Sequence, residues 1–295
     1  MKQFISFIAS VIISTSCKMD NKETYKDFME NEQNIPSEIK RNRDDTVSCI
    51  SLTVAESKRL IARGITKHPL VQRKLASGMI IITRGSTNTY IAEELTGLNA
   101  PHGNFVTGRI TPSGKEITTE GERVPEIVII DGKRVDMPFR EALAALKKDD
   151  IVFKGGNLLN YEKKQVAVTI GSADGGTVGR IQPYTAEGPA HLIVPIGLEK
   201  EVYGNLYDYE KILSGDMKGK GFVPRVIVHK NAEIFTEIEA IKIFGDVHVI
   251  PYASGGIAGS EGAKSFAVYG SPAEVEKVLH LISEIQGEPP FIEGL

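Results

Sequence analysis

Three times along this chain a short apolar run stops abruptly at a polar loop built around glycine. In "GMIIITRGSTNTYIAEEL" (78–95) the run meets Arg84, Gly85, Ser86, Thr87 and Asn88, and a helical pattern follows. In "DIVFKGGNLLN" (150–160) it meets Lys154, Gly155, Gly156 and Asn157. In "VAVTIGSADGGTVG" (166–179) it meets Gly171, Ser172, Asp174, Gly175, Gly176 and Thr177. Apolar runs of this length, alternating with helical stretches, point to a sheet of largely parallel strands flanked by helices. In such sheets ligands bind beyond the carboxyl ends of the strands.

The rest of the chain fits that α/β frame. Thr53 and Glu56 form a capping-box signature, so a helix begins there and breaks at His68-Pro69. A second short helix runs over Leu70–Ala76, followed by a strand at Met79–Thr83 and a helix at Thr89–Thr96. Residues 105–135 read as an insert of short extended pieces, with Asp131-Gly132 as a hairpin turn. A helix over Phe139–Lys147 precedes strands at Ile151–Lys154, Val166–Ile170 and His191–Ile196. From residue 222 the pattern reads as a small C-terminal α+β lobe. "RVIVHK" is a strand, "AEIFTEIEAIKIF" a helix, "VHVIPYA" and "SFAVYG" strands around "SGGIAGSEGA", and Ser271-Pro272 starts a last helix. The expected organisation is a leader at 1–17, a tether at 18–50, a body at 51–221 and the lobe at 222–295.

The leader "MKQFISFIASVIISTSC" has Lys2, an apolar run and small residues before Cys17, and is too short to span a bilayer. It resembles a bacterial lipoprotein signal, which implies lipidation at Cys17 and a membrane contact through a lipid anchor. Ser14 stands where that signal usually has an aliphatic residue. The alternative is a cytoplasmic protein whose start lies elsewhere. The segment after Cys17 is too polar to offset its ordering entropy, hence the tether.

Charge excludes one class of partner. With 35 Lys and Arg against 38 Asp and Glu, and no basic stripe, the sequence offers no nucleic-acid surface. The six His residues show no short metal-binding spacing, so no metal site is expected. No GKS or GKT loop and no GxGxxG fingerprint is present, and Ser172 and Ser254 lack a nucleophile-elbow context.

What the three loops favour is a small anion. Glycine lets the backbone approach a ligand, hydroxyls donate, a helix N-terminus attracts negative charge, and Arg84 and Lys154 add cations. The expected partner is therefore a small phosphorylated or carboxylated metabolite. Among candidate acids, Asp174 reads first as a turn residue ahead of Gly175, and Glu187 and His191 as loop and strand-edge groups. Glu233, Glu237 and Glu239 read as the solvated face of a helix, and 254–263 as a hairpin connection.

"RGSTNTYIAEEL" resembles the phosphate-binding turn of the superfamily of ribose-5-phosphate isomerase, glucosamine-6-phosphate deaminase, coenzyme A transferases and DeoR-type sugar-sensing domains. Lys154-Gly155-Gly156 is similar to the isomerase's Lys-Gly-Gly. The resemblance spans roughly residues 75–200. It implies phosphate contacts from Gly85, Ser86, Thr87 and Asn88, a substrate-binding or catalytic role for Lys154, and isomerase- or transferase-like activity. The isomerase's acidic cluster has no counterpart here, and Asp149-Asp150 precedes its strand. The rival expectation is a surface-anchored lipoprotein with a structural or interaction role.

Overall fold

Ile80, Ile81 and Ile82 are wholly buried, as are Ile151, Val152 and Phe153. Strands covered on both faces read as unbroken apolar runs, and these two lie side by side at the centre of a sheet. The computed structural model describes residues 42–108, 110–111, 121–214 and 223–292. The leader, Cys17 and most of the proposed tether lie outside the described residues. Among the described residues no helix is long and apolar enough to cross a membrane.

The central sheet has six strands: β2 (Met79–Ile82), β3 (Ile127–Ile130), β4 (Lys133–Val135), β5 (Ile151–Phe153), β8 (His191–Pro195) and β10 (Ala232–Phe235). Their order is β10-β8-β5-β2-β3-β4. The first four are parallel, with Ile80 beside Ile151, Val152 beside Leu192 and Ile193 beside Glu233. β3 and β4 extend the sheet antiparallel through the hairpin at Asp131-Gly132. Both turn residues have positive φ, 48° and 77°, as a two-residue type I′ turn requires.

Helices α1 (Val54–Lys67), α2 (Pro69–Ala76), α3 (Ser86–Thr96), α4 (Phe139–Ala144), α5 (Gly176–Thr185), α6 (Leu206–Ile212), α7 (Glu237–Phe244) and α8 (Pro272–Ile285) accompany the strands. α1, α3, α7 and α8 share one apolar core with the central sheet. The chain is thus α/β overall, but among the described strands parallel ladders are confined to the central sheet. β6 (Leu158–Asn160), β7 (Gln165–Ile170) and β9 (Arg225–Val228) form an antiparallel sheet, and β1 (Thr46–Leu52), β12 (Lys264–Gly270) and β11 (His248–Ser254) form another.

These pairings revise the sequence-based organisation. β1 begins inside the proposed tether and pairs with β12 along its whole length, from Thr46 opposite Gly270 to Leu52 opposite Lys264. β10, assigned to the C-terminal lobe, is an edge strand of the central sheet, and β9 pairs with β7 of the body. Residues 43–295 form one compact unit, so the described residues from 223 onward are not set apart as a lobe. The segment "AEIFTEIEAIKIF" is a strand followed by a helix, because Thr236 and Glu239 make a capping box that starts α7 afresh.

Candidate functional site

The carboxyl ends of β2, β5, β8 and β10 lie along one edge of the central sheet, and each hands the chain to a polar segment. After β2, Thr83 bonds to the Phe153 carbonyl through its amide (3.1 Å) and its hydroxyl (2.8 Å). Asn88 Nδ2 donates to the Thr83 carbonyl (2.8 Å) and the Phe153 carbonyl (3.3 Å), while its buried Oδ1 has no partner. Asn88 therefore ties two strand ends together. Gly85 donates to the Phe105 carbonyl (2.9 Å) and precedes α3, whose first residues Ser86, Thr87 and Asn88 carry amides without intrahelical acceptors. Arg84 is held by Glu126 at 3.1 Å, so its charge is neutralised within the fold.

After β5, Lys154 is anchored by its amide to the Ile193 carbonyl (3.2 Å). Its buried amine has one hydrogen-bond acceptor, the Gly155 carbonyl at 3.1 Å. Burial, with repulsion from Lys200, pulls its pKa down to about 8. His229 lies against the same turn. Burial, with Lys154 nearby, lowers its pKa to about 3, so its ring is neutral. The ring donates to the Gly155 carbonyl, and buried Nε2 has no partner. Gly156 and Asn157 serve the fold. A Cβ at Gly156 would lie 2.8 Å from the Ala167 carbonyl oxygen. Asn157 clamps Thr169, donating to its hydroxyl (2.6 Å) and accepting from its amide (2.8 Å).

The other components were not singled out from the sequence. After β8, a short 3-10 turn (Leu198–Lys200) places Glu199 folded back over Gly197, where any Cβ would collide with the carboxylate. Both Glu199 oxygens are buried without a hydrogen-bond partner, and Lys200 Nζ stands 3.7 Å away. After β10, Glu237 opens α7 and is fully buried. Its carboxylate accepts from the Leu198 amide at 3.0 Å and from the Ser57 hydroxyl. Burial and the neighbouring Glu199 push its pKa up to about 7. From α1 comes Lys58, also buried, its pKa drawn down to about 8 by burial and by Lys200, against an opposing pull from Glu199. Lys58 sits 5.5 Å beneath the Phe291 ring.

The edge thus gathers Lys58, Lys154 and Lys200 with Glu199, Glu237 and His229. Neither Lys58 nor Lys154 has a carboxylate within ion-pair distance among the described residues. Lys154 and Asn88, named from the sequence, both lie at this edge, and Glu237, expected on a solvated helix face, is buried here. Glu233 is not on a helix at all. It lies in β10 between His68 and His191, and Glu239 belongs to the α7 cap and accepts from the Tyr161 hydroxyl.

The third loop leaves β7, a strand of a different, antiparallel sheet. Gly171, Ser172 and Asp174 are exposed there. Asp174 accepts from the Ser172 hydroxyl and from the Gly176 amide, bonds that lower its pKa and shape the turn into α5. Gly175 caps that helix with φ 78°, and Thr177 lies in its first turn. The loop's polar contacts run to Arg180 and Arg225. His191 lies at the amino end of β8 and bonds Glu233, away from the strand-end groups, and Glu187 is exposed. The 254–263 connection is largely exposed, but Gly262 abuts Val54 and the Glu199 Cβ, so its base borders the site.

Among the described residues no group of three or more His, Cys, Asp or Glu side chains is arranged to hold a metal ion. Comparison with family models, with curated proteins and with solved structures yields no match.

Proposed function

We propose that the carboxyl edge of β2, β5, β8 and β10 binds a small anionic metabolite, phosphorylated or carboxylated. One observation carries this reading: two buried lysines, Lys58 and Lys154, stand beside a third without a carboxylate of their own. Glu199 supplies one negative charge, and burial with Glu199 nearby biases Glu237 towards its neutral form. The balance is a surplus of positive charge in a poorly hydrated place, which an anionic ligand would neutralise at little reorganisation cost. The amides of the first turn of α3 supply further donors at the same edge. The likeness of Arg84–Asn88 to a phosphate-binding turn supports the same chemistry, although Arg84 is engaged by Glu126.

Thermal denaturation at pH 7 with inorganic phosphate, small carboxylates and sugar phosphates tests the reading. A ligand at a hundredfold excess over its Kd adds about 2.7 kcal/mol, which is roughly 5–10 °C for a body of this size. The shift should vanish when Lys58 and Lys154 are both replaced by Met. No shift with any anion across the panel would remove the proposal.

A further inference from the structure

Anion binding alone does not account for the surroundings of Lys154. A lysine kept only for its charge is best left hydrated or paired, as Lys74 is with Asp150 at 3.2 Å elsewhere in this protein. Lys154 is instead enclosed, sits at the end of a central strand, feels the charge of Lys200, and shares the Gly155 carbonyl with the neutral ring of His229. His229 Nε2 is a buried acceptor with nothing to accept from. Resting on the anion-site reading above, we infer that Lys154 is an imine-forming nucleophile and that the anion it receives carries an aldehyde or ketone, as in a small 2-oxo acid or an oxo phosphate.

Each group has a role in that step. The neutral Lys154 Nζ attacks the carbonyl carbon, forming the C–N bond as the π pair moves to oxygen. A proton passes from nitrogen to that oxygen, giving a carbinolamine whose hydroxyl donates to His229 Nε2. One proton from solvent then lets the C–O bond break and water leave. Amine, carbonyl and one proton have become iminium and water, with no oxidant or reductant required. Lys200 and Lys58 hold the anionic end, and Lys200 keeps the Lys154 amine from staying protonated, as a neighbouring cation does for nucleophilic lysines generally. At pH 7 an amine of pKa about 8 is neutral about 300 times more often than one at the ordinary 10.5.

The experiment is reductive trapping on the full chain. The protein is incubated with pyruvate, or in a parallel arm with glycolaldehyde phosphate, then reduced with borohydride and mapped by peptide mass spectrometry. The expected result is an adduct on Lys154 in at least one arm, formed at least tenfold faster than on any exposed lysine. The arm that reacts distinguishes carboxylate from phosphate. Lys154→Arg should abolish the adduct while the variant keeps the wild-type circular dichroism spectrum and a cooperative unfolding transition, showing that the loss is not loss of the fold. Lys200→Gln should slow trapping at both pH 7 and pH 10 through the lost contact to the anion, and more strongly at pH 7, where the Lys154 amine loses the repulsion that keeps it unprotonated. If phosphate stabilises the protein but no adduct forms, or labelling falls on Lys58 or spreads over surface lysines, the imine inference is overturned and the anion site stands. If neither phosphate stabilisation nor an adduct appears, both fall.

Discussion

The two ends of the parallel strands treat charge in opposite ways. At the amino end the carboxylates are matched. Asp150 accepts from the Met79 amide (2.9 Å), the Lys147 amide (2.8 Å) and the Lys74 ammonium (3.2 Å), joining β2 to β5. Glu233 lies between His68 Nε2 at 2.7 Å and His191 Nε2 at 2.5 Å, joining the α1–α2 link to β8 and β10. At the carboxyl end Lys58 and Lys154 are buried without such partners, and Glu199 without a hydrogen bond. A buried charge with no partner costs stability, so its presence argues for a use other than holding the fold together. The difference separates charge that the fold matches from charge that it leaves unmatched within one sheet.

The sharpest way to break the comparison is to remove one charge from each end. Asp150→Ala should cost about 3–5 kcal/mol in urea unfolding, because two amides and an ammonium lose their acceptor in a site where little water reaches. A loss below about 1 kcal/mol would mean the amino end is not a matched structural cluster. Lys154→Met should act in the other direction, stabilising the unliganded protein at pH 7 by up to about 3.5 kcal/mol, since each pH unit between 10.5 and about 8 is worth about 1.4 kcal/mol. The folded-state pKa lies below the unfolded one. The penalty is therefore complete below pH 8 and fades as pH rises towards 10.5. Wild-type stability should gain over that interval from this group, and the variant should lack the gain.

The smallest effect concerns Glu233. Hydrogen bonds from His191 and His68 pull its pKa down to about 2 from an ordinary 4.5. Its contribution is full above pH 4.5 and is lost as pH falls towards 2. Glu233→Gln should flatten the acid limb of the stability profile. At neutral pH it should cost about 1 kcal/mol, because a third of the side chain is exposed and solvent screens the pair.

How much of this was legible depended on what each residue's signal rested on. β2, β5 and β8 were readable because strands buried on both faces leave an unbroken apolar run. The cap at Thr53 was readable and is present, with Glu56 accepting from the Thr53 amide at 2.7 Å. The same signature recurs at Thr236 and Glu239, and giving it equal weight would have separated β10 from α7 and moved Glu237 off a presumed solvated face. Glu199 and Lys200 left no such trace, since adjacent opposite charges in a short turn look like surface. Lys58 is hidden for a tertiary reason: the chain beyond α8 returns across α1, with the Gly287 amide on Glu56, Glu288 on Arg59 and Phe291 above Lys58. Contacts between segments more than 200 residues apart leave no local pattern.

The pairing of β1 with β12 has a practical corollary. If the chain were trimmed at residue 50, where composition alone ends the polar stretch, β12 would lose most of the neighbour it bonds, from Thr46 to Ile50. A bare strand margin of that length is an open invitation to self-association. Shortened versions of this protein meant to stay dispersed in solution should keep Thr46 and everything after it.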